Sequence, residues 1–206
     1  MPDCSNSAAH PEAQLDAAVA AIRAGGVVVY PTETLYGLGV DATSAAALAR
    51  LIRVKGREPG KPISVLISDE AMVNQLATEI PPVAQRLMQR FWPGALTLLL
   101  PARPEISPEL TGGSGRIGMR LSSCAAATEL VRRAGRPITT TSANPAGAAP
   151  AAALAEARAY FGERVDVYVD GGILPGEPAS TVVLCDDNQV RVLRAGAIAS
   201  ADLIEN

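Results

Sequence analysis

The chain has 206 residues, 48% of them hydrophobic and 19% charged, enough to bury about 70% of its unfolded surface in one core. A formal net charge of −3 excludes a general attraction to nucleic acid or to an anionic membrane, so any polyanion site must be local. No apolar run approaches the roughly 18 residues of a membrane span, and the opening MPDCSNSAAHPEAQ lacks the stretches of a signal peptide, so a cytoplasmic location is expected.

Residues 1–11 read as a polar leader and 12–206 as a single domain. Leu15, Ala18, Val19 and Ile22 share one face of a helix over 11–24, which Gly25-Gly26 stops. VVVY (27–30) is a strand, and the glycine-bearing TETLYGLGVDAT after it reads as a loop with short extended pieces. A helix from about Ser44 carries Leu48, Leu51 and Ile52 inward and runs into a basic loop at 55–62. ISVLI (63–67) is the next strand, helices follow over 69–77 and 82–91, and LTLLL (96–100) is a buried-type strand. TGGSG (111–115) is a loop. IGMRL (117–121), a helix over 123–134, PITTT (137–141), a helix over 150–161 and VDVYV (165–169) continue the alternation. STVVL (180–184) and QVRVLR (189–194) form a hairpin around Asp186-Asp187-Asn188, and a short helix follows. The pattern predicts an α/β layered fold on a mixed, parallel and antiparallel, sheet with flanking helices.

Three widely spaced cysteines, Cys4, Cys124 and Cys185, argue against a disulfide framework or a Cys-x-x-Cys metal site. The single histidine, His10, precedes the first periodic segment, which excludes histidine-based triads and His-ligated zinc. Chemistry must run on other groups. Of 18 basic residues only Lys55 and Lys61 are lysines, and both fall in Lys55-Gly-Arg57-Glu-Pro-Gly-Lys61-Pro62. Residues 50–61 carry five cations against Glu58, a local +4. The spacing and Pro62 rule out a Walker A loop. Converging Lys55, Arg57 and Lys61 suit a polyphosphate; the same residues also suit a solvated helix end. Thr139 to Asn144 delivers hydroxyls and an amide that can hold anionic oxygens, or simply cap and turn the chain. Pro31-Thr32-Glu33-Thr34-Leu35-Tyr36-Gly37 places hydroxyls, a carboxylate and a glycine that lets backbone approach a ligand, although a plain polar loop has the same composition.

In this order PTETLYGLG, K-x-R with a following lysine and proline, FWPGALTLLL, a strand ending in Arg120, TSAN, VDGG, STVV and R-x-G resemble the YrdC/TsaC family of threonylcarbamoyl-AMP synthases. The resemblance covers residues 12–200. It implies a YrdC-like sheet around a basic concavity and an ATP-dependent nucleotidyltransferase that converts L-threonine, bicarbonate and ATP into threonylcarbamoyl-AMP and pyrophosphate. The product feeds t6A modification of tRNA adenosine 37 through separate proteins, in bacteria TsaB, TsaD and TsaE, so tRNA is met only indirectly or weakly. By similarity Lys55, Arg57, Ser142 and Asn144 hold the nucleotide phosphates, with Lys55 and Arg57 catalytic, and Lys61 and Arg194 add nucleotide contacts. Thr34, Arg120, Thr140 and Ser180 surround threonine, and Glu33 and Tyr36 belong to the same motif. Magnesium comes with ATP, with no dedicated metal cage.

The chemistry suits these residues, since a substrate carbamate attacking the α-phosphate needs positioned groups more than a protein nucleophile. The chain departs from the family pattern at three places: Leu66 where longer members often carry histidine, Arg120-Leu121-Ser122 in place of Arg-x-Pro, and Arg116 in place of a small hydroxyl residue. Its end soon after Arg194-Ala195-Gly196 resembles the short form. A non-catalytic RNA-binding or ribosome-maturation factor is the alternative, against which stand an aromatic content of 3% and the negative charge.

Overall fold

The computed structural model describes residues 11–58, 60–186 and 189–204. Residues 1–10 of the expected 1–11 leader, with Cys4 and His10, and Asp187 and Asn188 of the expected hairpin turn lie outside the described residues; Pro11 already belongs to the first helix. The chain runs α1 (Pro11–Arg23), β1 (Val28–Tyr30), β2 (Gly37–Gly39), α2 (Ala45–Lys55) and β3 (Val65–Leu66). It continues through α3 (Glu70–Leu76), α4 (Pro82–Phe91), β4 (Leu96–Pro101), α5 (Pro108–Thr111), β5 (Arg116–Arg120) and α6 (Ala125–Ala134). The last third holds β6 (Ile138–Thr139), β7 (Thr141–Ser142), α7 (Leu154–Phe161), β8 (Val167–Tyr168), β9 (Thr181–Asp186), β10 (Gln189–Arg194) and α8 (Ser200–Ile204).

Local chemistry explains the helix ends. Ser44 caps α2 by accepting from the Ala47 amide at 3.3 Å, and Gly56, at φ 64°, takes the left-handed turn that ends it. That stop places Lys55 at the mouth of the basic loop. The short α5 has no counterpart in the sequence reading, because one turn between Ser107 and Gly112 shows no periodicity. Helix α7 starts later than the expected 150, at Leu154, where the Glu156 carboxylate accepts from the Ala152 and Ala153 amides at 2.8 and 3.1 Å. Helix α1 buries Leu15, Ala18, Val19 and Ile22, packs on α6, and is tied to it by Arg133, which reaches Glu12 at 2.6 Å and Asp16 at 2.9 Å.

The strands are mixed as expected, but hydrogen bonding divides them into two sheets, ordered β7-β2-β1-β8 and β10-β9-β4-β5-β3-β6. Each contains parallel and antiparallel pairs. The expected single strand 137–141 is the seam: β6 pairs with β3, β7 pairs with β2, and Thr140 between them donates its amide to Ser64 O at 2.7 Å. Tyr30 locks this seam. Its hydroxyl donates to Thr139 O at 2.9 Å, and its ring lies against Gly37 and Gly39, where an added Cβ would come within 2.8 and 2.6 Å of it. Those glycines therefore make room for a buried ring, a packing role that the loop reading did not contain.

Candidate active site

Side chains two apart on a strand share a face. Leu96, Leu98 and Leu100 of β4 are buried in the core, which leaves Thr97 on the opposite face. Ladder partners extend that face: Thr97 pairs with Val182 of β9, Val182 with Arg194 of β10, and Leu99 with Gly118 of β5, two residues before Arg120. A register irregularity between Val192 and Arg194 brings Arg194, rather than Leu193, opposite Val182. Ser64, Thr97, Arg120, Ser180, Val182 and Arg194 thus line one wall of a cavity of about 460 Å³.

Most of the remaining lining comes from three other segments: Thr32 and Thr34 to Gly37 leading into β2, the end of α2 with its loop, and residues from the seam at Thr140 to Gly147. All ten residues assigned by resemblance line this cavity: Lys55, Arg57, Lys61, Ser142, Asn144 and Arg194 for the nucleotide, and Thr34, Arg120, Thr140 and Ser180 for threonine. Arg57 closes its own loop, donating from Nη2 to Pro62 O at 2.6 Å and from Nε to Lys61 O at 3.3 Å. Lys61 is exposed and paired with Glu58 at 2.8 Å.

Lys55 is buried, and its ammonium donates to Ser142 O at 2.7 Å, Asn144 O at 2.9 Å and Asn144 Oδ1 at 3.3 Å. An ammonium has three protons, so each is matched to an acceptor on one loop. Asn144 Nδ2 closes the same loop on Pro145 O and Ala148 O at 3.0 and 2.7 Å. Burial, then the neighbouring Arg57 charge, pull the Lys55 ammonium down to about 8. Burial likewise lowers Arg57 and Arg194, and the charge of Arg120 adds to the effect on Arg194. A region that resists positive charge in this way favours a bound anion.

Arg120 is 4% exposed, and its Nε is buried with no hydrogen-bond partner. Its ion-pair contact is with Glu33 Oε1 at 3.7 Å, too long for a hydrogen bond. Beside it, Arg194 donates to Ser180 O at 2.7 Å and Ser180 Oγ at 3.1 Å, and Ser180 Oγ lies 3.0 Å from Thr97 Oγ1. Two guanidiniums and a hydroxyl pair thus share one wall.

Of the other motif residues, Tyr36 lines the cavity as well, while Glu33, Arg116 and Leu66 do not. Glu33 is outside the cavity lining, behind Arg120. The Tyr36 hydroxyl accepts from the Gly171 amide at 2.9 Å and donates to Gly172 O at 2.8 Å, and burial raises it to about 12. It anchors the VDGG turn. Arg116 is at the far end of β5, paired with Asp186 at 3.0 Å, and Leu66 is buried as the ladder partner of Arg120; neither lines the cavity. Sequence reading missed Ser64 and Thr97. A lone threonine in the apolar run LTLLL was the available signal for the second.

These features define an α/β protein whose cavity pairs a cationic, hydroxyl-bearing anion site with a buried, unsaturated guanidinium. The chain belongs to the Sua5/YciO/YrdC family, whose model, described as "Telomere recombination", matches residues 20–196. It is 40% identical to a Thiobacillus denitrificans threonylcarbamoyl-AMP synthase over 84% of this chain and 91% of that one. It is 38% identical to the Bacillus subtilis threonylcarbamoyl-AMP synthase over 92% of this chain and 55% of that one. The structure of Pyrococcus abyssi Sua5 complexed with L-threonine superposes with a TM-score of 0.88 at 33% identity, covering 92% of this chain. The chain spans 56% of that protein, about half its length.

Proposed function

We propose that this protein is an L-threonylcarbamoyladenylate synthase, forming threonylcarbamoyl-AMP and pyrophosphate from L-threonine, bicarbonate and ATP. The observation that carries the reading is the convergence, in one cavity, of the Lys55, Arg57, Ser142 and Asn144 group with the buried Arg120 guanidinium and its unpartnered Nε. The first suits phosphate oxygens. The second suits an amino-acid carboxylate, for which arginine supplies two parallel donors. The names of the relatives and the threonine complex of the Pyrococcus abyssi protein support this choice of substrates.

In this reading the threonine amine and bicarbonate combine with loss of water to a carbamate. A carbamate oxygen attacks the α-phosphate of ATP, and pyrophosphate leaves. Lys55, Arg57 and Arg194 supply positive charge along the triphosphate, and Ser142 and Asn144 shape its seat. Arg120 fixes the carboxylate while Thr34, Thr140 and Ser180 surround the rest of threonine. Alignment of two bound reactants is the main catalytic resource, with up to roughly 7–11 kcal/mol available from it. Magnesium enters as part of the Mg-ATP substrate. The product passes, in the cytoplasm, to the TsaB, TsaD and TsaE proteins for t6A synthesis, so tRNA binding by this chain is weak or indirect. Among the described residues no helix is long and apolar enough to cross a membrane.

Purified protein given Mg-ATP, L-threonine and bicarbonate should release pyrophosphate and form a labile threonine-containing adenylate without RNA. Omission of any one substrate should abolish the product. No pyrophosphate above background, together with tight RNA binding that falls steeply with salt, would overturn the reading in favour of an RNA-binding factor.

A further inference from the structure

We propose that Ser122 is a positioning residue that holds the Glu33 carboxylate away from Arg120 and so leaves the guanidinium open to a substrate carboxylate. The inference rests on the reading of Arg120 as the partner of that carboxylate.

The side chains of Arg120 and Glu33 are 5% and 11% exposed. An arginine and a carboxylate free to meet at this depth form charge-assisted hydrogen bonds, commonly a bidentate pair at about 2.7–2.9 Å. Here Arg120 Nη1 stays 3.7 Å from Glu33 Oε1, and that carboxylate oxygen, like the Nε of the same guanidinium, is buried without a hydrogen-bond partner. A buried carboxylate oxygen left unpaired beside a guanidinium remains apart from it only where something else holds the carboxylate. Ser122 does so by donating its hydroxyl proton to Glu33 Oε2. That hydroxyl is itself fixed. Ser122 is 2% exposed, its Oγ accepts from the Cys124 amide at 3.1 Å, and its carbonyl accepts from Thr128 Oγ1 at 2.8 Å. A serine hydroxyl has one proton, and with Cys124 occupying an acceptor site that proton is directed to Glu33. Glu33 thereby offsets charge beside Arg120 without occupying its donors.

Calorimetric titration of the full chain with L-threonine and, separately, with ATP tests this. In Ser122→Ala the released carboxylate closes on Arg120, and threonine binding should weaken about tenfold, equivalent to about 1.4 kcal/mol. Adding Glu33→Gln removes the competing charge and should return affinity to within about threefold of the parent, a coupling that a purely structural role does not produce. ATP affinity should stay within about twofold throughout, which reports an intact fold. Glu33→Gln alone should bind threonine within about threefold of the parent, and it tests the idea even if Ser122→Ala does not fold. Unchanged threonine affinity in Ser122→Ala, a double variant as weak as that single one, or a tenfold loss in Glu33→Gln alone would each overturn the inference. A parent chain that binds ATP but no threonine would overturn the underlying reading and the inference with it.

Discussion

Replacing Lys55 by methionine keeps most of the side-chain volume and removes only the charge and three donors. For a phosphate oxygen about 5 Å away at an effective dielectric of about 20, the lost attraction is about 3 kcal/mol. The three acceptors on the Ser142–Asn144 loop also lose their donors, but they border an open cavity where water can replace them, which limits that cost. ATP affinity should therefore fall by about 2–4 kcal/mol, or thirtyfold to several hundredfold, while threonine binding changes little. Stability should move the other way or not at all. The Lys55 ammonium sits at about 8 in the folded chain, below its ordinary 10.5, so between these values the unfolded chain binds more protons and stability rises with pH. Lys55→Met should abolish the slope, and it should also abolish the decline of ATP affinity in the parent as pH rises past 8 and the ammonium discharges. Calorimetric ATP titrations from pH 7 to pH 10 and thermal denaturation over the same range read both effects. Parental ATP affinity in Lys55→Met, or equal losses of ATP and threonine binding, would refute the argument.

Arg120→Ala should remove measurable threonine binding and spare ATP binding, a difference that paired titrations reveal; the loss should be about 2–4 kcal/mol, as for a buried charged contact. Gly39→Ala places a Cβ 2.6 Å from the Tyr30 ring and 2.7 Å from Ile138 Cγ2, and overpacking of this kind should cost about 1–3 kcal/mol in denaturant unfolding. Cys185 is fully buried, and burial raises its thiol to about 11. Mass spectrometry after brief alkylation at pH 8 should find it unmodified in the native protein and modified after unfolding.

The order of helices and strands was legible in the sequence because it depends on local signals: apolar period, caps such as Ser44, and stops such as Gly56. The basic loop was legible too, since two lysines confined to seven residues form a composition anomaly. The ordered motifs carried the resemblance that gathered ten residues, and one cavity receives all ten. Their relations were not legible. That Lys55 is tied to a loop nearly ninety residues away, that Gly37 and Gly39 yield their space to Tyr30, and that Thr97 faces the cavity rather than the core all depend on which strand lies beside which. The seam at Thr140 and the irregularity ahead of Arg194 are likewise set by long-range pairing. Local sequence determines which segments become helix or strand, because those choices rest on backbone propensity and apolar period within a few residues. Register, the split between two sheets and the 3.7 Å separation of Glu33 from Arg120 are decided only when distant segments pack and compete for the same buried donors, acceptors and space.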